Sequence, residues 1–260
     1  MKTKLILVLA IIIMQSCKVQ QTQTASLPKI ENQIKGELDY TKGGFELVQW
    51  KSNGDEITLG TIDKKGAIHF NLTEYDIRAL GKNHQNSHFE GQFNMLKCKG
   101  GGEVDMMGRP QFKTPYDDVY SQLYGSIYIK KYGAYLGYLS LVSDKKMLLK
   151  KNFDKITGNK YYWFYIDRAL DYKDNCIQEW DEGVDIDLSA DIQFKKGWNF
   201  IKRNLMEVQS FGENNEHTSP KKIQYTLSSP ESKDVIWHIV RKMDEEKIQA
   251  AKKKYELQLP

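Results

Sequence analysis

The chain has 260 residues, of which 40% are hydrophobic and 28% charged. That is long enough to bury a large core in one domain or two. Its 38 basic and 34 acidic residues leave a formal charge of only +4. A charge this small argues against the basic surface of a nucleic-acid-binding protein, so no nucleic-acid partner is predicted.

The first residues have the pattern of a secretory signal. Lys2 and Lys4 give a basic start, residues 5–14 form an unbroken apolar run, and Cys17 follows two polar residues. The run is too short to cross a membrane as a helix. The segment resembles the signal of a bacterial lipoprotein, in which a cysteine becomes the lipid-carrying first residue of the mature chain. An ordinary signal peptide followed by a coincidental cysteine is the alternative.

The lipoprotein resemblance implies a location. It implies removal of residues 1–16, lipidation of Cys17 and attachment to the cell envelope, at the outer membrane on its periplasmic or surface side. Residues 17–28 are polar and lack aromatic side chains, which predicts a flexible tether between the acyl chains and a folded domain. The membrane is therefore the first predicted partner, through the lipid anchor.

A small β module is predicted over residues 29–81. Its strands are expected at 34–40, 45–51, 56–62 and 67–72, and Asn53-Gly54 predicts a hairpin turn. The segments Gly36-Glu-Leu38, Gly44-Phe45-Glu-Leu47 and 63–70 resemble the β-sandwich modules of the transthyretin or carboxypeptidase-regulatory-like kind. That resemblance implies a structural or binding role without catalytic residues.

A larger β-rich module is predicted over residues 82–242, followed by a C-terminal helix over 243–260 that docks on the sheet. Periodicity and turn residues predict the following elements in chain order: a helix at 73–80 before the boundary, a strand at 88–99, a helix from Thr114 to Gly125, a hairpin of 126–130 with 134–142, a strand buried on both faces at 161–166, an alternating strand at 184–194 whose hairpin partner is 198–208, a polar loop at 211–222, and strands at 223–228 and 235–240.

Tyrosines are frequent between residues 116 and 138. In the first strand of the predicted hairpin, Tyr128 falls on the face opposite Ile127 and Ile129, which would turn its ring toward solvent. Exposed aromatic rings bind sugar faces or protein partners. Tyr128 and Tyr138 are therefore predicted to bind a ligand, and the alternative is that the tyrosines pair across strands and cover the edge of a core.

Two cysteines remain after Cys17. An even number in an oxidising compartment predicts one disulfide between Cys98 and Cys176, and two separately buried thiols are the alternative. Neither cysteine has a neighbour at the spacing of a zinc site.

No metal site or cofactor is predicted. His84 and His88 have a four-residue spacing, but no carboxylate motif completes a site. The acidic stretch 185–191 imitates the start of a calcium-binding loop, yet Ala190 stands where glycine is needed and Lys196 where the bidentate glutamate belongs. A different calcium site that uses Glu179, Asp181 or Glu182 stays open.

The familiar local signatures of hydrolases are absent, so no catalytic residue and no enzyme activity are predicted. The fold class expected is mainly β, with two antiparallel β-sandwich-like modules, a few short helices and the C-terminal helix. The function expected is a lipid-anchored, non-catalytic binding or assembly module for a glycan or an envelope protein. The alternative is a secreted glycoside or peptide hydrolase with an unrecognised acid pair, for which Glu179 and Asp181 near Trp180 are the first guess.

Overall fold

The computed structural model describes most of the chain from residue 40 to residue 241. The residues described are 40–50, 56–70, 89–93, 95, 115–116, 118–124, 126–149, 152, 154–180, 184–241, 250 and 253–254. The predicted signal, the tether, the helix at 73–80, and Cys17, His84, His88 and Cys98 lie outside them. Of the strand predicted at 34–40, only Tyr40 is described, and it begins a 3-10 helix. Of the predicted C-terminal helix, only Ala250, Lys253 and Lys254 are described.

Twelve strands join in one sheet in the described part of the chain. They are β1 (Phe45–Trp50), β2 (Glu56–Ile62), β3 (Ile68–Phe70), β4 (Ser121–Tyr124), β5 (Ile127–Lys131), β6 (Ala134–Val142), β7 (Gly158–Ile166), β8 (Leu170–Trp180), β9 (Val184–Phe194), β10 (Gly197–Phe211), β11 (His217–Leu227) and β12 (Ile236–Arg241). Short 3-10 helices cover Tyr40–Lys42, Phe89–Phe93 and Lys145–Leu148.

The sheet has the order β3-β2-β1-β5-β6-β7-β10-β11-β9-β8, with β12 paired to β6 and β4 paired to β7. The mainly β fold class is thereby confirmed. A division into two antiparallel modules is not confirmed, because β1 pairs with β5 across the expected boundary and β9 pairs with β11 in parallel. The strands on both sides of that boundary also share one core.

The centre of the sheet is the pair β7–β10, whose two faces contact different cores. On one face Tyr161, Trp163 and Phe200 belong to a first core that is completed by β1, β2, β3, β5, β6 and β12. On the other face Phe164 and Ile201 belong to a second core that is completed by β8, β9, β11 and the 3-10 helix Phe89–Phe93. Side chains alternate between faces along a strand, so this pair needs cover on both sides. The predicted strand buried on both faces is confirmed.

The alternating strand predicted at 184–194 is also confirmed as β9, with its apolar side chains buried in the second core. Its predicted hairpin with 198–208 is wrong, because β11 lies between β9 and β10. Strand β10 buries Phe200 and Ile201 on opposite faces and is an interior strand, with β7 and β11 as its neighbours. Strand β9 pairs instead with β11 in parallel, an arrangement that a tight hairpin cannot provide.

The polar segment 211–222, predicted as a loop, is instead the tip of a long hairpin. Strand β10 continues to Phe211 and β11 begins at His217, and the two residues are partners in the ladder with their ring centroids 5.2 Å apart. Positive φ angles at Gly212 and Asn215 make the turn between them. Cross-strand pairing thus extends a ladder through residues whose polarity alone indicated a loop.

Two other elements differ from prediction near the second core. The strand predicted at 88–99 is a 3-10 helix at Phe89–Phe93, which buries both phenylalanine rings in that core. The helix predicted from Thr114 is a turn followed by strand β4, which extends the pairing of β7. Val119 and Leu123 still pack against the core, as the helical pattern required. In both segments the burial of apolar side chains in the second core, and not the local sequence pattern, goes with the observed backbone conformation.

A clamp of three charges ties the loop before β7 to the centre of the sheet. Arg203 on β10 places Nη1 and Nη2 at 3.0 and 3.2 Å from the two carboxylate oxygens of Asp154, and Lys160 Nζ lies 2.8 Å from Oδ1. Burial raises the pKa of Asp154, but the charges and hydrogen bonds of Arg203 and Lys160 lower it more, so the net pKa lies below its usual value. One carboxylate is thus the shared counter-ion of two largely buried cations.

The clamp gives a stability prediction. Replacing Asp154 with asparagine should lower the free energy of unfolding by roughly 2–4 kcal/mol, because Arg203 and Lys160 lose their shared counter-ion. Urea unfolding followed by intrinsic fluorescence measures the change. Asp191→Asn is the matched control, since it breaks an exposed pair with Lys173 and should cost less than about 1 kcal/mol.

The same variant should be less sensitive to acid. Because the folded pKa of Asp154 is depressed, its contribution is fully present above the unfolded pKa of about 4 and is lost as pH falls through the folded value. The stability gap between wild type and Asp154→Asn should therefore narrow below that pH. A gap that stays constant down to the acid transition would contradict the assignment.

Candidate functional site

The two tyrosines predicted to bind a ligand lie side by side. Tyr128 on β5 and Tyr138 on β6 are partners in the ladder, and their ring centroids are 6.1 Å apart. Both side chains are half-buried. Ile127 and Ile129 point the other way into the first core, so the tyrosine rings lie on the opposite face of the sheet, as the alternation predicted.

A third tyrosine reaches the same face through a β-bulge. In the ladder Lys130 faces Tyr135, but Ile129 faces Gly137, so Leu136 has no partner of its own. A regular strand would place Tyr135 and Tyr138 on opposite faces, because they are three residues apart. The extra residue restores the same side for both rings. The ring centroids of Tyr128 and Tyr135 are 6.5 Å apart.

Trp50 on the neighbouring strand β1 completes the group. Val48 is the ladder partner of Tyr128, so Trp50, two residues further on, faces the same side. Its ring centroid lies 4.3 Å from that of Tyr128 and 4.9 Å from that of Tyr135, and 36% of the residue is exposed. We call Trp50, Tyr128, Tyr135 and Tyr138 the aromatic patch.

A carboxylate on β2 holds the patch in place. Glu56 is the ladder partner of Trp50. Its Oε1 lies 2.6 Å from Lys130 Nζ, and its Oε2 accepts a hydrogen bond from the Tyr135 hydroxyl. Lys130 Nζ also lies 5.7 Å from the centre of the Tyr135 ring, within cation–π range. These contacts join three strands across the surface of the sheet.

The protonation states in this network follow from the contacts. Burial raises the pKa of Glu56, but hydrogen bonds from Lys130 and Tyr135 lower it more, so its net pKa lies below the usual value. Burial, and then the hydrogen bond to Glu56, raise the pKa of Tyr135 to about 12. At neutral pH the pair is a carboxylate and a neutral phenol. The arrangement favours a fixed binding surface over proton transfer.

The charged side chains described beside the patch carry a small negative excess. Glu46 is exposed and is the ladder partner of Lys130, so two carboxylates, Glu46 and Glu56, flank one ammonium group. Tyr135 adds no charge. Counted over these described residues, the surroundings of the patch have one negative charge in excess.

Other predicted site residues lie elsewhere. Glu179 on β8 is the ladder partner of Asp185 on an exposed face of the sheet, and Asp181 and Glu182 lie outside the described residues. Asp187 and Asp191 on β9 each pair with a lysine at 3.0 Å. Alternate residues of a strand are about 7 Å apart, so the acidic stretch 185–191 does not form a calcium-binding loop. Among the residues in view, no group of three or more His, Cys, Asp or Glu is arranged to hold a metal ion.

Cys176 lies on β8 at the edge of the second core. It is disulfide-bonded, and its Sγ contacts Met95 Sδ at 3.3 Å. The partner cysteine lies outside the described residues, so the pairing of Cys98 with Cys176 stays a prediction.

Sequence reasoning missed Trp50, Tyr135, Glu56 and Lys130. The alternation of β1 put Trp50 on one face with Val48, but nothing in the sequence indicated that β1 lies beside β5. Tyr135 required the bulge. Gly137, which interrupts the alternation between Leu136 and Leu139, was the local signal that could have revealed it.

Comparison of the chain with models of protein families, with curated proteins and with solved structures finds no match. The helices in the described ranges include none that is both long and apolar enough to span a membrane. The resemblances to lipoprotein signals and to small β-sandwich modules stay predictions. The geometry of the aromatic patch is therefore the basis for a functional assignment.

The disulfide prediction has a direct test. Peptide mapping of the unreduced chain should recover Cys98 linked to Cys176, and the chain-entropy estimate for so long a loop is roughly 4 kcal/mol. The Cys98→Ser/Cys176→Ser variant should therefore unfold at a lower urea concentration, as the reduced wild type should. Recovery of Cys176 linked to Cys17 would show that the predicted pairing is wrong.

The Glu56 network predicts a measurable shift at Tyr135. In Glu56→Gln the carboxylate charge is lost, so the Tyr135 pKa should fall from about 12 toward its usual value of about 10. The other tyrosines also contribute to an ultraviolet pH titration. Subtracting the titration of Glu56→Gln/Tyr135→Phe from that of Glu56→Gln leaves the signal of Tyr135 alone. The control is Glu46→Gln, in which the Tyr135 titration should move much less. Equal titrations in wild type and Glu56→Gln would contradict the network.

Proposed function

We propose that this chain is a lipid-anchored cell-envelope protein that acts as a non-catalytic binding or assembly module. The aromatic patch is its ligand-binding surface. The single observation that carries the proposal is the grouping of Trp50 with three half-buried tyrosines on a sheet face directed away from the first core.

The composition of the patch supports a binding role. Tryptophan and tyrosine are enriched where proteins bind partners, because each ring offers a large contact area with few rotatable bonds. The four rings also contact one another, so they form one continuous surface of a kind that marks interaction sites.

The fixed geometry supports the same role. Glu56 receives Lys130 and Tyr135 from two other strands, which orders the Tyr135 ring before any ligand arrives. A surface that is already ordered loses less conformational entropy on binding. The locked protonation states of Glu56 and Tyr135 make neither group a convenient acid or base near neutral pH.

The N-terminal pattern supports the location. The basic start, the apolar run and Cys17 are the features of a lipoprotein signal, and the polar residues up to 28 would hold a folded domain away from the lipid headgroups. An anchored module would present its patch to an envelope glycan or protein at a constant distance from the membrane.

The experiment is crosslinking of the intact protein in its native envelope, followed by mass spectrometry of the captured partner and of the Cys17 peptide. We expect an acylated Cys17 peptide and a partner whose capture falls at least about tenfold in Trp50→Ala/Tyr128→Ala. Tyr120→Ala is the matched control, because it removes another exposed ring outside the patch and should leave capture unchanged.

Two results would contradict this proposal. An unmodified Cys17 with the protein released into the medium would remove the lipid anchor. Equal capture in wild type and the patch variant would remove the patch as the binding surface. Cys17→Ser separates the two parts, because it should release the protein without altering the folded domain.

A further inference from the structure

We infer that the ligand of the aromatic patch is a neutral glycan, bound with a sugar ring stacked on the Trp50 indole. This inference rests on the proposed function and adds the chemical class of the ligand. Three properties of the patch carry it: the spacing of its rings, its charge, and the remaining hydrogen-bonding capacity of Glu56 and Lys130.

The ring spacing favours a ligand that lies on the patch over one that enters it. The centroids of Trp50 and Tyr128 are 4.3 Å apart, and those of Trp50 and Tyr135 are 4.9 Å apart. These rings are in direct contact, so they leave no gap for the alkylated ammonium group that aromatic cages hold. A flat sugar ring needs no gap, because it stacks on an aromatic ring from outside. Trp50 is exposed over 36% of its area, whereas the three tyrosines are half-buried.

The charge of the patch disfavours both kinds of charged ligand. The excess carboxylate, from Glu46 and Glu56 against Lys130, repels polyanions such as uronate polymers. A cationic ligand that approached Glu56 would also approach Lys130, whose Nζ lies 2.6 Å from Glu56 Oε1. The two like charges would repel each other. A neutral ligand meets neither obstacle.

The polar groups can still bind sugar hydroxyls. Each carboxylate oxygen has two lone pairs and an ammonium group has three hydrogens. The contacts of Glu56 and Lys130 within the patch therefore leave capacity for donors and acceptors from a polyol. Both side chains retain solvent contact, with 26% and 20% of their area exposed. Hydroxyl groups, which both donate and accept, match this mixture of carboxylate and ammonium.

The layout of the patch fits a short oligosaccharide. The rings of the patch and the neighbouring Glu56 come from four adjacent strands, in the order β2, β1, β5 and β6. Neighbouring strands are about 4.8 Å apart, so the site runs across the strands for more than the width of one sugar ring. Glu56 lies at one end and Tyr138 at the other. A chain of sugar units lying across the strands would contact both ends.

The test uses the full chain in a detergent without a sugar headgroup, so that the detergent cannot occupy the patch. The neutral probes are glucan, mannan and xylan oligosaccharides, the anionic probe is oligogalacturonate, and the cationic probe is oligolysine. Binding is read from the difference in tryptophan emission between wild type and Trp50→Phe, and from saturation-transfer NMR signals on the sugar ring protons.

We expect at least one neutral oligosaccharide to bind, with affinity at least about tenfold weaker in Trp50→Ala and little changed by salt, because no ion pair forms. Tyr120→Ala should bind like wild type. Equilibrium unfolding of each variant shows whether the fold is retained. Trp50→Phe is a second, milder variant, and it should weaken binding less than Trp50→Ala because it keeps an aromatic ring at this position.

The failures of the two proposals are distinguishable. If no neutral oligosaccharide binds, or if oligogalacturonate or oligolysine binds at the patch instead, the glycan inference is overturned. A protein captured through the patch without sugar binding also overturns it, and leaves the binding module intact. The proposed function is contradicted by the two results named for it, an unmodified Cys17 with released protein or equal envelope capture by wild type and the patch variant, and neither depends on sugar binding.

Discussion

The fold depends on one constraint, which is that the strand pair β7–β10 must bury apolar side chains on both of its faces. Strands β7 and β10 carry large apolar side chains toward both sides of the sheet, with Trp163 and Phe200 on one face and Phe164 and Ile201 on the other. Each such side chain stabilises the fold by about 1.5–3 kcal/mol when it leaves water. A flat sheet with one solvated face could not bury them. The sheet therefore continues on either side of this pair, so that its ends supply two separate cores.

The functional surface follows from this arrangement. Strands β1, β5 and β6 direct Leu47, Ile129 and Leu139 into the first core, and their remaining faces carry the side chains of the aromatic patch. That core takes the inner faces of these strands. Their outer face is partly covered, since Val48 is buried there, and partly exposed at Trp50. The bulge at Leu136 adds Tyr135 to this face without removing Leu136 or Leu139 from the core. A single inserted residue thus keeps the core packed and adds a third tyrosine to the patch.

Local patterns predicted the parts of the fold that depend on local alternation. Strand β9, the β5–β6 hairpin and the orientation of Tyr128 all follow from side-chain parity within a few residues. The position of β11 between β9 and β10 rests on the parallel pairing of β9 with β11, which side-chain parity within one strand does not reveal. The patch shows the same division. Tyr128 and Tyr138 belong to one hairpin, whereas Trp50 and Glu56 join them through the pairing of β1 with β5, which no local pattern encodes.

The Glu56 network explains how a small patch can be an effective binding surface. Lys130 and Tyr135 are long side chains, and ordering each on contact with a ligand would cost about 0.5–1.5 kcal/mol. Their bonds to Glu56 order both side chains when the protein folds, so this conformational entropy is not lost again when a ligand binds. Under the proposal of a lipid anchor and a glycan ligand, several copies on one membrane would also meet the repeating units of a polysaccharide at high effective concentration. Weak contacts to each unit would then add up to firm attachment, without the deep pocket that a single small ligand requires.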